Sequence, residues 1–301
     1  MSPNNKNTLV VITGPTAVGK TQTAIEIAQT LSTEIISADA RQFYKELKIG
    51  TATPSSKELA IIPHHFIGHL SVADYYNASK FEFQALELLE KLFKNHQYVL
   101  ITGGSGLYID ALCDGIDDMP DADDTIREKI KVLFNEQGIE GLRIQLEKID
   151  PEYYEQVDLA NPNRIIRGLE VYYGTGKKFS EYRKNQKKNR PFNIKKIILN
   201  RPRAEVNERI NHRTDLMVKD GIIEEALSFY KYKHHNALNT VGYKELFLWI
   251  ANQWDLPTAI EKIKTNTRRY AKRQVTWFKK YPDAKWISPD QQKEIIEFIK
   301  S

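Results

Sequence analysis

The stretch Gly14-Pro-Thr-Ala-Val-Gly19-Lys20-Thr21 constrains this chain more than any other. It matches the pattern G-x-x-x-x-G-K-[ST] and follows Thr8-Leu-Val-Val-Ile-Thr13, a β-branched apolar run that reads as a buried parallel strand. After it, Ala24, Ile25, Ala28 and Leu31 fall at helical spacing. Strand, glycine loop and helix in this order are the context the motif requires. Glycines let backbone N–H groups wrap a phosphate chain, and the helix start adds a favourable dipole. The expected phosphate-binding residues are therefore Gly14, Pro15, Thr16, Ala17, Val18, Gly19, Lys20 and Thr21. Lys20 would add a point charge, and the Thr21 hydroxyl would serve Mg²⁺. The competing reading is a plain glycine turn between strand and helix, and the motif and its context together weigh against it.

The chain continues in the same style. Glu34-Ile-Ile-Ser37 and Tyr98-Val-Leu-Ile-Thr102 read as the second and third strands. Lys80 to Phe93 reads as a helix with Phe83, Leu86, Leu89 or Glu90, and Phe93 on one face. Gly103-Gly104-Ser105-Gly106 leads into a short helix. This alternation predicts an α/β fold: a P-loop NTPase-like parallel sheet flanked by helices. From Asp114 to about Asn193 strand signals fade. Helices are expected over 125–137, 138–148 and 163–173, with Asp123 or Asp124 as a cap. Residues 116–193 are thus expected to form a mostly helical insertion domain, ending in a basic loop or exposed turn over 177–190. Ile194 to Asn200 returns to strand, and helices follow over 203–218, 221–231, 241–251 and 256–280. In the last, Leu256, Ile260, Ile263, Thr267, Tyr270 and Trp277 trace a core-facing stripe. The core domain would comprise 1–115 and 194–301.

Net charge sharpens this division. The whole chain carries +5, but residues 1–163 hold 14 Lys and Arg against 24 Asp and Glu, while residues 164–301 hold 30 against 15. A basic second half suits a polyanionic partner, or else a solvated lysine-rich surface. The one cysteine, Cys113, excludes an internal disulfide framework and a cysteine-based zinc site and points to a reducing cytoplasm. No apolar run reaches the ~18–20 residues that span a bilayer. The polar stretch from Met1 to Thr8 lacks the character of a secretory leader.

An ordinary P-loop ATPase carries an acid at the end of a second apolar strand to hold Mg²⁺. Here the strand ending at Thr102 has none, and the acid stands at Asp39 instead. A carboxylate at the carboxyl edge of a parallel strand sits where such sheets bind ligands. It could act as a general base, or cap a helix or turn; the pattern fits both. His64 and His65 follow Pro63 in a turn with no further ligand at metal spacing, which favours packing or a substrate contact. The four tryptophans read as core or half-buried anchors.

Several segments together resemble the bacterial tRNA dimethylallyltransferase (isopentenyltransferase) family. They are Gly14–Thr21, Ile35-Ile-Ser-Ala-Asp39-Ala-Arg-Gln42-Phe-Tyr44, Ile49-Gly-Thr-Ala-Thr-Pro54 and Pro63-His64-His65. Further along come Gly103-Gly-Ser-Gly-Leu-Tyr108, Asn163-Arg-Ile-Ile-Arg167-Gly-Leu-Glu170, Val241-Gly-Tyr-Lys244 and Ala271-Lys-Arg-Gln-Val-Thr-Trp277. They occur in family order over nearly the whole chain, without the zinc finger of eukaryotic members.

The resemblance implies transfer of a dimethylallyl group from dimethylallyl diphosphate to the exocyclic amine of the adenosine directly 3′ of the anticodon. The phosphate loop would then hold a diphosphate leaving group, with Mg²⁺ on Thr21. Asp39 would accept the amine proton, and Arg213, four residues after Arg209 on one helix face, would assist the diphosphate. Residues matching the family's tRNA contacts are Asp39, Ala40, Arg41, Gln42, Ser105, Arg127, Asn163, Arg164, Ile165, Ile166 and Arg167. The stretches 239–244 and 269–276 add Lys244 and Arg273. Gln42 carries the donor and acceptor pair suited to a base edge. Two departures stand out: Ser105 replaces a common threonine, and Lys244 replaces a common arginine, which loses planar bidentate phosphate contacts. The implied partners are the tRNA anticodon stem-loop and dimethylallyl diphosphate, with no membrane and a monomeric protein. The alternatives are a small-molecule P-loop kinase, an adenylate dimethylallyltransferase and a non-catalytic RNA-binding module. The basic half speaks against the first two, and Lys20, Thr21 and Asp39 against the third.

Overall fold

The computed structural model describes residues 7–184 and 186–301. Met1 to Lys6, most of the polar stretch read as no secretory leader, and Asn185, in the basic 177–190 segment, lie outside the described residues. The chain divides into two compact units, 1–114 with 190–301, and 115–189.

The first unit opens with β1 (Thr8–Thr13), α1 (Lys20–Leu31), β2 (Ile35–Ser37), α2 (Ser56–Ile61), β3 (His64–His65), α3 (Ala78–Leu92), β4 (Tyr98–Gly103) and α4 (Gly106–Asp114). The second unit holds α5 (Asp124–Ile149), α6 (Pro151–Gln156), α7 (Pro162–Thr175) and α8 (Phe179–Tyr182). The chain then returns to the first unit through β5 (Asn193–Leu199), α9 (Arg203–Lys219), α10 (Ile222–Phe229), α11 (Tyr243–Ile250), α12 (Leu256–Phe278), β6 (Lys285–Ile287) and α13 (Gln292–Lys300).

The sheet is six-stranded and wholly parallel, in the order β3-β2-β4-β1-β5-β6. β1 lies inside it, with Thr8 opposite Tyr98 of β4 and Asn193 of β5. All six of its residues are buried, as expected of a strand covered by helices on both faces. Leu9 and Val11 point into one apolar cluster, Val10 and Ile12 into another. The carboxyl ends of β1, β2 and β4 therefore converge on one edge, and the loops after them build the site.

Local expectations held where periodicity was strong and failed where one residue of phase mattered. On α3 the buried face is Ala78, Phe81, Glu82, Ala85, Leu89 and Leu92, whereas Phe83 is 65% exposed. The expected face was off by part of a turn, because Phe81 rather than Phe83 joins the aromatic cluster of Phe43, Phe66 and Tyr108. His64 and His65 are not in a turn: they pair with β2 as a short edge strand, and this makes the strand at Tyr98 the fourth. His65 Nε2 lies 2.6 Å from Glu34. On α12 the buried line is Ala259, Ile263, Thr267, Ala271, Gln274 and Phe278, so only Ile263 and Thr267 of the expected stripe are fully buried. The closing pair β6 and α13 lies beyond the elements expected from the sequence.

The second unit packs Ile130, Leu142, Leu146, Ile165 and Leu169 into its own core. The backbone turns out of helical conformation at Gly138 (φ 64°), which separates the two expected helices of α5. Asp123 caps α5 by accepting from Ile126 N at 2.8 Å. The 177–190 segment is not simply a loop. It contains α8, held because Asp150 accepts from Ser180 N and its hydroxyl at 2.9 and 2.7 Å, and because Phe179 is buried against Tyr153. Among the described residues no helix is long and apolar enough to cross a membrane.

Candidate active site

The phosphate loop is shaped by close approach. A Cβ on Gly14 (φ 150°) would stand 2.5 Å from the Leu199 carbonyl oxygen. Gly19 (φ 113°) is the left-handed N-cap of α1 and makes no side-chain cap. The first-turn N–H groups of α1 are thus left for a ligand, and Gly19, Lys20, Thr21 and Gln22 all line one cavity of about 610 Å³. Ala17 also adopts a left-handed backbone (φ 65°), a strained conformation for a residue with a Cβ. It is held from outside: Arg209 Nε donates to its carbonyl at 2.7 Å.

Lys20 Nζ donates to the carbonyls of Gly14 and Pro15 at 3.1 and 3.0 Å. Burial holds its pKa down to about 8; the Asp39 carboxylate acts upward and Arg213 downward. Arg213 reaches in from α9, and its Nη2 donates to the Thr16 hydroxyl at 2.8 Å. Burial lowers its pKa as well, against the opposing pull of Asp39 and Tyr270. The two cations are therefore poorly solvated, which raises the gain from a bound anion.

Asp39 follows β2 and lines the same cavity. Both readings of this residue hold at once. Its Oδ1 accepts from Arg41 N at 3.0 Å, as a turn aspartate does, and its other carboxylate oxygen makes no hydrogen bond among the described residues. Ser105 supports the loop from β4 by accepting from Ala40 N at 2.9 Å. Gly103-Gly104-Ser105-Gly106 is glycine-rich because neighbours crowd it. A Cβ would collide with Ala38 at Gly103, with Gln274 Nε2 at Gly104 and with Trp277 Nε1 at Gly106.

Two residues expected to read the tRNA are engaged within the protein. Gln42 Nε2 donates to the carbonyls of Thr51 and Ala52 at 3.3 and 3.1 Å, so its amide shapes the wall of the cavity. Arg41 Nη1 donates to the Asn236 carbonyl at 2.6 Å and so holds the 236–239 segment. The facing wall is latched by Glu225, which no sequence pattern flags, and by Tyr243 of the Val241–Lys244 stretch. Glu225 accepts from the backbone N–H groups of Lys48, Ile49 and Gly50 at 2.9, 3.0 and 2.9 Å. The buried Tyr243 hydroxyl donates to the same carboxylate at 2.6 Å, and burial pushes its pKa upward.

Of the expected residues, Thr16, Ala17, Gly19, Lys20, Thr21, Asp39, Ala40, Arg41, Gln42, Ser105, Arg213, Lys244 and Arg273 all line this cavity. Gly14, Pro15 and Val18 lie behind it, and Val18 is fully buried among core side chains. Met217, Ile222, Val241 and Ile263 give the cavity an apolar wall. Tyr270, read as part of the core stripe, lies here too. Burial first, then Asp39, pushes its phenol up to about 12, and Arg273 stacks 5.7 Å from its ring centre. Its polar hydroxyl within an apolar stripe was the available signal.

Arg127 and Asn163 to Arg167 belong to the second unit. Asn163 and Arg164 are exposed. Ile165 is fully buried in that unit's core, which removes its side chain from any RNA contact; Ile166 packs half-buried against the same core. Arg127 and Arg167 share Glu170 at 3.8 and 3.4 Å.

The IPP transferase family model matches residues 42–281. The chain is 49% identical to tRNA dimethylallyltransferase 1 of Bacteroides fragilis over 294 residues, covering 98% of each chain. It is also 49% identical to tRNA dimethylallyltransferase of Christiangramia forsetii over 296 residues, again covering 98% of each. Among solved structures it is similar to the tRNA isopentenylpyrophosphate transferase of Bacillus halodurans, with a TM-score of 0.71, 33% identity and coverage of 98% and 96%. A eukaryotic dimethylallyltransferase acting on tRNA gives a TM-score of 0.76 at 27% identity, covering 94% of this chain and 74% of that one.

Proposed function

The chain belongs to the IPP transferase family of tRNA dimethylallyltransferases, and from that membership we propose how its residues do the family's work. It transfers a dimethylallyl group from dimethylallyl diphosphate to the N6 amine of the adenosine 3′-adjacent to the anticodon in tRNA, releasing diphosphate. The observation that carries the residue assignment is the meeting of Lys20, Thr21, Asp39 and Arg213 on one cavity.

The diphosphate rests on the phosphate loop, where Lys20, Arg213 and the α1 N–H groups offset the charge that grows as the allylic C–O bond breaks. The apolar wall of Met217, Ile222, Val241 and Ile263 receives the dimethylallyl group and keeps water away. As the N6–C bond forms, the amine proton passes to Asp39. An adenine amine is a poor nucleophile, so orientation matters as much as proton removal.

Thr21 offers a hard oxygen donor of the kind Mg²⁺ prefers, and the diphosphate would supply the rest of its shell with water. Among the described residues no group of three or more His, Cys, Asp or Glu side chains is placed to hold a metal ion. When bound, Mg²⁺ supplies further charge neutralisation on the leaving group.

The acceptor adenosine must leave its stack to reach this cavity. Lys244 and Arg273, exposed at its edge, and the exposed Asn163 and Arg164 of the second unit contact the tRNA backbone. The enzyme works as a cytoplasmic monomer in this reading.

The test supplies labelled dimethylallyl diphosphate with unmodified tRNA or with free AMP, and ATP as a control donor. Label should enter tRNA alone. Label in AMP and none in tRNA would replace this reading with nucleotide prenylation.

A further inference from the structure

Gln274 is an unusual member of the buried face of α12. Its neighbours Lys272, Arg273 and Thr276 are exposed, and the basic stretch around it suggests a surface that meets tRNA. Instead Gln274 is only 4% exposed, in line with Ala271 and Phe278. A buried amide is costly unless both of its ends are paired. Here both are. Oε1 accepts from Thr16 N in the phosphate loop at 2.8 Å, and Nε2 donates to the Gly104 carbonyl at 3.0 Å.

These two partners lie on different sides of the chemistry. Thr16 also accepts from Arg213, the cation assigned to the diphosphate. Gly104 precedes Ser105, whose hydroxyl accepts from Ala40 N, next to Asp39. Resting on the transferase reading above, we propose that Gln274 is a positioning residue. It ties the loop that holds the leaving group to the loop after β4, whose Ser105 in turn supports the Asp39 loop, and so fixes the distance over which carbon passes from oxygen to nitrogen. No other side chain among the described hydrogen bonds joins Thr16 to Gly104; closer to the strands, the Thr13 hydroxyl donates to the Gly103 carbonyl at 2.8 Å.

The glycine at 104 fits this role, since any Cβ there would displace the amide nitrogen. Gly104→Ala and Gln274→Met should therefore disturb the same link from opposite ends.

The experiment measures kcat and KM for both substrates, the Tm, and binding of inorganic diphosphate with Mg²⁺. It compares wild type with Gln274→Met, Gln274→Ala, Gly104→Ala and the double variant Gln274→Ala/Gly104→Ala. Misplacement of reacting groups by about 1 Å can cost on the order of 100-fold in rate. Gln274→Met and Gly104→Ala should each lose roughly 10- to 100-fold in kcat, with KM for tRNA near that of wild type. Inorganic diphosphate binding should weaken in both. Adding Gly104→Ala to Gln274→Ala should cost little more, because the obstructed amide is already gone. Wild-type kcat and diphosphate binding in folded Gln274→Met would overturn the proposal, as would fully additive losses or a defect confined to Tm. A wild type that fails to modify tRNA would overturn the function instead. The link is then judged on diphosphate binding, which supports it if weakened in Gln274→Met and sinks it if unchanged.

Discussion

Arg213 Nη2 donates to the Thr16 hydroxyl at 2.8 Å across 197 residues of sequence. Helix α9 thereby delivers a cation to the phosphate loop that begins the chain. A point charge with this single directional bond differs from an ordinary surface pair, since Arg213 is half-buried and burial already lowers its pKa. Replacement by alanine should reduce kcat/KM for dimethylallyl diphosphate on the order of 10²- to 10³-fold, the range seen when one preorganised transition-state donor is lost. Lysine should restore part of it. Steady-state kinetics with saturating tRNA checks this, and an equal loss in both variants would assign the role to guanidinium geometry rather than to charge.

Asp39→Asn is a sharper probe of the base than alanine. Asparagine keeps an oxygen to accept from Arg41 N, so the turn survives while the basic carboxylate is removed. Single-turnover transfer should fall by roughly 10²- to 10⁴-fold, the usual yield of general base catalysis. Binding of tRNA by filter assay should change little. Weakened binding with normal turnover of the bound complex would make Asp39 a recognition residue.

Arg190 and Glu82 form an ion pair at 2.7 Å, with side chains only 8% and 7% exposed. Arg190 also donates to the carbonyls of Ala111 and Leu112 at the end of α4. Glu82→Ala leaves that guanidinium buried beside two carbonyls alone and should cost about 3–5 kcal/mol. Urea unfolding measures it; a shift below about 1 kcal/mol would mean that water enters and replaces the carboxylate.

Cys113 is buried at 2% exposure, and burial pushes its thiol from 9.0 up to about 12. Three units less acidic means roughly a thousandfold less thiolate at pH 8 than in the unfolded chain. Iodoacetamide should therefore label the native protein at pH 8 on the order of 1000-fold more slowly than the protein in denaturant. Raising the pH should speed labelling of the unfolded chain up to about pH 10, where its thiolate approaches saturation. Comparable rates in the two states would show that α4 opens readily.

The phosphate loop, the parallel sheet and the helical second unit were legible in the sequence because each is written locally. A glycine pattern, a β-branched run or a 3.6-residue period needs only its own neighbours. The same locality explains the misses. Phe83 and Phe81 differ by two residues, and only the position of Phe43 and Tyr108 decides which one is inside. Ile165 sits in a motif suited to RNA contact, yet its own core claims it.

The sequence by itself determined which chemistry was available here: a phosphate loop with Lys20 and Thr21, an acid at Asp39, and cations enough for a nucleic acid. Tertiary structure decided which of those groups work together. Thr16 and Gln274 are 258 residues apart in sequence and 2.8 Å apart in space. Gln42 and Arg41, suited by type to read a base, line the cavity while also donating to backbone carbonyls. A side chain's chemistry is fixed by its covalent structure. Its role depends on which partners remain once buried donors and acceptors have been paired, and only the folded chain sets that pairing.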